Sequence, residues 1–260
     1  MCHAINSMSR AIALFNQAGG VGKTTITQNL GYQLSARGHK VLLIDLDPQA
    51  SLTTFMGIDP DSLDKTLFDT LVNEEPLFIL PSLHSMALAP TNITLSAAEI
   101  QLVNMDFREV RLSEALDPVR DDYDFILIDC PPSLGLLSYS ALVGATHVLV
   151  PIETHYKAFQ GTNLLLQTVA KVRKRGNPKL QIAGFVPSRY AASNSQDKRT
   201  LKAIQEQLAT VGPVYEPIGR LTAFVDASEE QVPLAVYDPK HPVLKILDQL
   251  AQQMEQLNAP

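Results

Sequence analysis

One segment constrains this chain more than any other: Asn16-Gln17-Ala18-Gly19-Gly20-Val21-Gly22-Lys23-Thr24-Thr25. It leaves an apolar run, Ala11–Phe15, and enters a helix-like stretch, Thr24–Arg37. Three glycines let backbone N–H groups crowd around phosphate oxygens, and the start of the following helix adds its dipole. Lys23 is placed to bridge the β- and γ-phosphates of a nucleoside triphosphate, and the Thr24 hydroxyl to ligate Mg²⁺. A glycine-rich turn alone would not need strand, loop, Lys-Thr and helix in this order, whereas a phosphate-binding loop does. The expected cofactors are therefore ATP and Mg²⁺. The expected nucleotide-binding residues are Gly19, Gly20, Val21, Gly22, Lys23, Thr24 and Thr25.

The rest of the chain suits such a loop. The apolar runs Ala11–Phe15, Val41–Ile44, Met86–Ala89, Phe125–Ile128, His147–Val150 and Leu180–Val186 read as strands. Most are continuously apolar, the mark of strands covered on both faces. Between them, Thr24–Arg37, Phe107–Leu116, Ala158–Lys174 and Ser195–Thr210 read as helices, with Gly38 and Gly176 as stops. Asn73–Pro81 reads as a loop. The expected fold is α/β: a doubly wound, mostly parallel twisted sheet with helices on both faces, as in P-loop NTPases. A length of 260 residues with 45% hydrophobic content predicts one large core. Residues 1–9 are expected to form a tail and 10–260 a single domain.

Charge is unevenly spread. Residues 171–220 hold ten basic and three acidic side chains, so that window is +7 in a chain of −6, and the remainder is −13. The overall balance excludes a protein that coats nucleic acid with its whole surface. The basic window predicts a local, sequence-independent phosphate contact instead, carried by Arg189, Lys198, Arg199, Lys202 and Arg220. No recognition helix is evident, so base readout is not expected. Cys2 and Cys130 cannot make a disulfide framework, which fits a reducing cytoplasm. Cys130 reads as buried packing. No apolar run has the roughly 20 residues of a membrane span. The amphipathic stretch 245–257 has a Gln-rich, acidic polar face, which reads as core packing and not membrane docking.

Two more segments carry chemistry. Val41-Leu-Leu-Ile-Asp45-Leu-Asp47-Pro48-Gln49 and Tyr123-Asp-Phe-Ile-Leu-Ile-Asp129-Cys130-Pro131-Pro132-Ser133 each end an apolar strand on a carboxylate. Asp129 is placed to hold Mg²⁺ through water. Asp45 and Asp47 are placed to orient the attacking water and sense the γ-phosphate, with Asp45 also near the metal. With Gln17 where the general Walker pattern has glycine, the three motifs together resemble the deviant Walker-box ATPases of the ParA/MinD family. The resemblance implies a partner-stimulated ATPase, weak alone, that dimerises around two ATP molecules and binds nucleoid DNA non-specifically. Catalysis would then rest on Lys23, Asp47 and Asp45, and Mg²⁺ on Thr24, Asp45 and Asp129. The resemblance weakens toward the C-terminus, where Pro217-Ile218-Gly219-Arg220 and Asp226-Ala227-Ser228-Glu229 replace the usual Pro-Arg and Ser-Glu-Ala segments. Arg189 and Pro217 are the residues it suggests for the nucleotide pocket there.

The family's namesake lysine, just before the paired glycines, is Ala18 here. Its loss makes the chain resemble the carboxysome-positioning McdA branch more than ordinary partition ATPases. Lys157, at an expected helix start where a cation opposes the helix dipole, is the candidate replacement acting across a dimer. The implied partners are a second copy, non-specific DNA and a small adaptor on the cargo, McdB-like or ParB-like, with no membrane. The implied location is the cytoplasm, on the nucleoid. The competing readings are a plasmid or chromosome partition ATPase and a biosynthetic P-loop enzyme of the same superfamily.

Overall fold

The computed structural model describes residues 9–155 and 161–258. Seven strands form one sheet: β1 (Arg10–Leu14), β2 (Val41–Asp45), β3 (Leu80–Leu83), β4 (Met86–Ala89), β5 (Phe125–Asp129), β6 (His147–Glu153) and β7 (Gln181–Ser188). Their spatial order is β3-β4-β2-β5-β1-β6-β7. Every neighbouring pair is parallel except β3 with β4 at the edge. The five residues of β2 and of β5 are all buried, as strands covered on both faces require.

Alternation of side chains along each strand divides the core in two. Ala11, Ala13 and Phe15 join one cluster with Leu42, Ile126, Leu137 and Leu165. Ile12 and Leu14 join the other with Leu30, Leu43, Leu127 and Leu250. Helix α1 (Lys23–Ala36) lies close on the second face, because Gly31 has no side chain to hold it off: a Cβ there would stand 2.7 Å from Leu43 Cδ2. The remaining helices are α2 (Ser51–Phe55), α3 (Leu67–Asn73), α4 (Leu95–Leu102), α5 (Arg111–Leu116), α6 (Leu136–Gly144), α7 (Thr162–Arg175), α8 (Ser195–Leu208), α9 (Thr222–Glu229), α10 (Leu234–Tyr237) and α11 (Leu244–Glu255). The last of these buries Leu247, Leu250, Ala251 and Met254 in the second cluster, as its amphipathic pattern predicts.

Several boundaries differ from the sequence reading. The helix expected at Phe107 begins at Arg111, because Phe107 takes a φ of 56° and breaks the run. The expected loop Asn73–Pro81 is shorter: Asn73 closes α3 and Leu80 opens β3. Gly38, with φ 95°, supplies the left-handed stop expected after α1. Gly176 also stops its helix as expected, capping α7, but at a φ of −121°, and its lack of a side chain lets Val143 Cγ2 approach to 2.9 Å of where a Cβ would stand. The first residues of the expected helix Ala158–Lys174 lie outside the described residues. No helix among the described residues is long and apolar enough to cross a membrane.

Candidate functional site: a phosphate loop at the carboxyl ends of the central strands

β1 sits between β5 and β6, so the loop that leaves it opens at the carboxyl edge of the sheet, where doubly wound folds bind ligands. Gly20 and Gly22 have φ of 73° and 87°, conformations that an L side chain strains to reach. Gly22 caps α1 without any side-chain cap, which leaves the first helical N–H groups available to an anion. Asn16 braces the loop from below. Its Nδ2 donates to Pro151 O at 2.7 Å, and its Oδ1 accepts from Ala18 N at 2.9 Å. Lys23 is buried, and its Nζ donates to Asn16 O at 3.0 Å and Ala18 O at 3.1 Å, so the ammonium lies across the loop's mouth. Burial lowers its pKa, against the pull of Asp129 and then of its other anionic neighbours.

The two carboxylate strands meet here in register, Asp45 opposite Asp129. Burial drives the Asp129 carboxyl well above its ordinary pKa, and neighbouring Asp45 adds to this; the Thr24 hydroxyl and Lys23 oppose it. Its Oδ1 lies 3.5 Å from Thr27 Oγ1, while Oδ2 is buried with no partner among the described residues. An orphaned carboxylate oxygen beside a threonine hydroxyl, at a phosphate loop, fits Mg²⁺, which favours one or two carboxylates plus phosphate oxygens. When bound, that ion supplies charge neutralisation at the phosphates.

Asp45 is tied to the start of α2. Its Oδ2 accepts from both Thr53 N and Thr53 Oγ1 at 2.7 Å, and its Oδ1 lies 3.3 Å from Asp47 N. The side chain is fully buried and its pKa is pushed up to about 7 by that burial, the Thr53 bonds opposing it. It holds the turn into α2 through Thr53. Asp47 is the half-buried, accessible member of the pair, with Oδ1 accepting from Gln49 N at 3.0 Å.

A cleft of about 460 Å³ lies beside the loop, lined by Gly22, Thr25, Arg189, Gly219, Arg220 and Phe224 among others. Arg189 lines this cleft, and so does Ile218, the neighbour of Pro217. Arg220, expected to meet DNA, is exposed and lines this cleft. Of the basic residues expected to meet DNA, only Lys198, Arg199 and Lys202 share an exposed helix, α8. Lys202 lies 3.7 Å from Glu206. A larger cavity, about 560 Å³, lies between α3 and α5 and holds none of the motif residues. Cys130 is free and buried, with its thiol pKa raised by that burial, an inert packing group as expected. Lys157 lies outside the described residues, as does Cys2. Sequence reasoning missed Thr53 and Ser188. The signal for Ser188 was its place at the carboxyl end of a parallel strand, beside the loop.

The family described as an AAA domain matches residues 9–182. The sporulation initiation inhibitor protein Soj of Bacillus subtilis is 35% identical over 251 residues, which span 95% of this chain and 98% of Soj. A crystal structure of cobyrinic acid a,c-diamide synthase from Mycobacterium smegmatis with bound ADP and magnesium is 33% identical, with a TM-score of 0.79, covering 86% of this chain and 93% of that one. An ATP complex of a Cyanothece McdA variant superposes with a TM-score of 0.86 over 97% of this chain and 98% of that one, at 24% identity, a likeness of fold alone. With its phosphate loop, paired carboxylate strands, near full-length similarity to Soj and 37% identity to the chromosome partitioning protein ParA of Caulobacter vibrioides, the chain belongs to this AAA-domain family of P-loop ATPases, in its ParA/MinD group.

Proposed function

We propose that this protein is a ParA-type ATPase of the deviant Walker-box kind that positions an intracellular cargo. In this reading it binds ATP and Mg²⁺ at the loop Gly19–Thr25, dimerises around two nucleotides and grips nucleoid DNA without sequence preference. A small adaptor on the cargo then stimulates an otherwise weak hydrolysis. The observation that carries the reading is the joined site: Lys23 across the loop mouth, Asp129 beside α1 with an oxygen unpartnered among the described residues, and a carboxylate on Asp47 at the next strand end. Thr24 and Asp129 would hold the metal, and Asp47 would orient the attacking water. The exposed Lys198, Arg199 and Lys202 would meet DNA phosphates.

Ala18, in place of the family's lysine, favours carboxysomes as the cargo, with Lys157 supplying the missing charge across the dimer. An identity of 37% with the chromosome partitioning protein ParA of Caulobacter vibrioides, over 89% of this chain and 88% of that one, favours the second reading, a chromosome or plasmid partition ATPase. The cobyrinic acid a,c-diamide synthase likeness supports a third, a biosynthetic enzyme on the same scaffold. Fluorescent tagging in the native host separates them. Foci that move over the nucleoid with carboxysomes support the first reading, foci that follow a replication origin the second, and diffuse signal the third.

A further inference from the structure

Two consecutive residues at the end of β7 reach two consecutive carbonyls of the phosphate loop. Ser188 Oγ donates to Val21 O at 2.7 Å, and Arg189 Nη1 donates to Gly20 O at 2.9 Å. Ser188 is buried, and its own carbonyl accepts from Thr154 N at 3.1 Å, so its position is set by the residue that follows β6. Arg189 Nε lies 3.4 Å from Glu153 Oε1, at the end of β6. Arg189 takes a φ of 54°, a left-handed conformation that a non-glycine residue adopts at a cost.

A trans peptide unit is planar, with its N–H directed opposite its C=O. Among the described residues there are no cis peptides. The carbonyl of Gly20 shares a peptide unit with the N–H of Val21, and the carbonyl of Val21 with the N–H of Gly22. Holding those two carbonyls toward β7 therefore turns the N–H groups of Val21 and Gly22 the other way. Neither N–H has a backbone acceptor among the described residues.

We propose that Ser188 and Arg189 are positioning residues: they fix the peptide planes of the phosphate loop from outside, so that Val21 and Gly22 present their N–H donors to phosphate before it arrives. The inference rests on the phosphate-site reading and deepens it. Preorganised donors need no reorientation when the anion binds. An anion on those N–H groups also polarises the same peptides and strengthens the Ser188 and Arg189 bonds. The strained φ of Arg189 is the local cost of keeping this contact.

The test is binding of ATP, ADP and inorganic pyrophosphate, by calorimetry, to Ser188→Ala, Ser188→Thr, Arg189→Ala and Arg189→Lys. Each alanine variant should weaken all three ligands by roughly fivefold to tenfold, the worth of one hydrogen bond. Ser188→Thr should restore affinity and Arg189→Lys should restore part of it. Thermal unfolding is followed in parallel, because a residue that only holds the fold together lowers the melting temperature of the variant without changing the affinity of the fraction that remains folded. Folded alanine variants with wild-type affinities overturn the proposal while the phosphate site stands. Wild type that binds none of the three ligands removes the site and the proposal together.

Discussion

At the scale of the residue, the buried lysine and the accessible aspartate divide the chemistry. Lys23 already lies among loop carbonyls, and charge-assisted bonds to phosphate would be stronger than those. Lys23→Ala should therefore raise the ATP dissociation constant on the order of 100-fold, the loss of about 3 kcal/mol from two such bonds, read by calorimetry. Asp47→Ala should bind ATP as wild type does but hydrolyse it on the order of 100-fold more slowly, as loss of a water-orienting base does. Normal turnover in that variant would remove Asp47 from the mechanism. The candidates for these roles are legible in the sequence because they ride on spacing: glycine, lysine and threonine after one strand, carboxylates at the ends of two others. The engagement of Asp45 is not legible there. Its partner Thr53 lies eight positions on, and nothing in a sequence says that a threonine hydroxyl and its N–H will both turn back onto a strand end.

Among the elements, the parallel strands were legible and several helices were not, for one physical reason. A strand buried on both faces is a short apolar block with clear ends, whereas α6 is apolar on nearly every side and α4 is short, so neither shows the one-sided period that marks a surface helix. Helix α8 does show it, and it carries Lys198, Arg199 and Lys202 outward. Charge reversal at Lys198 and Lys202 should lower the slope of log affinity against log salt for random duplex DNA by roughly 0.9 per lost phosphate contact. Helix α11 makes a separate prediction. Arg37 reaches Asp248 at 3.0 Å and Glu255 at 2.8 Å, and His39 also meets Glu255 at 2.8 Å. The Arg37 bond, chiefly, lowers the Glu255 pKa to about 2 from an ordinary 4.5. A carboxylate depressed in the folded state stabilises it above its unfolded pKa and loses that effect as pH falls through the folded one. Wild type should thus melt above Glu255→Gln at neutral pH, and the gap should close between pH 4.5 and pH 2.

For the molecule as a whole, two triphosphates facing each other in a dimer repel unless cations intervene, by several kcal/mol where water is excluded. In the proposed dimer Lys23 would serve its own nucleotide, and Ala18 offers no charge. Lys157→Ala should therefore leave ATP binding by the monomer intact and abolish ATP-dependent dimerisation, measured by light scattering with a non-hydrolysable analogue. Ala18→Lys in that background should bring the dimer back in part. A Lys157→Ala protein that still dimerises would show that the charge comes from elsewhere. The strand order has a different consequence, one for synthesis. β5 inserts between β2 and β1, although both of those are made well before it. The loop is then tied by Pro151, 135 residues after Asn16, and by Ser188, 167 residues after Val21. At about 5–20 residues per second on the ribosome, the nucleotide site waits roughly 8–30 s for its last brace. From the end of β2 until β5 is made, roughly 80 residues later or about 4–16 s at that rate, the nascent chain carries apolar β1 and β2 with an open slot between them, a natural client for a holding chaperone, and ATP affinity should emerge only when translation has passed β7.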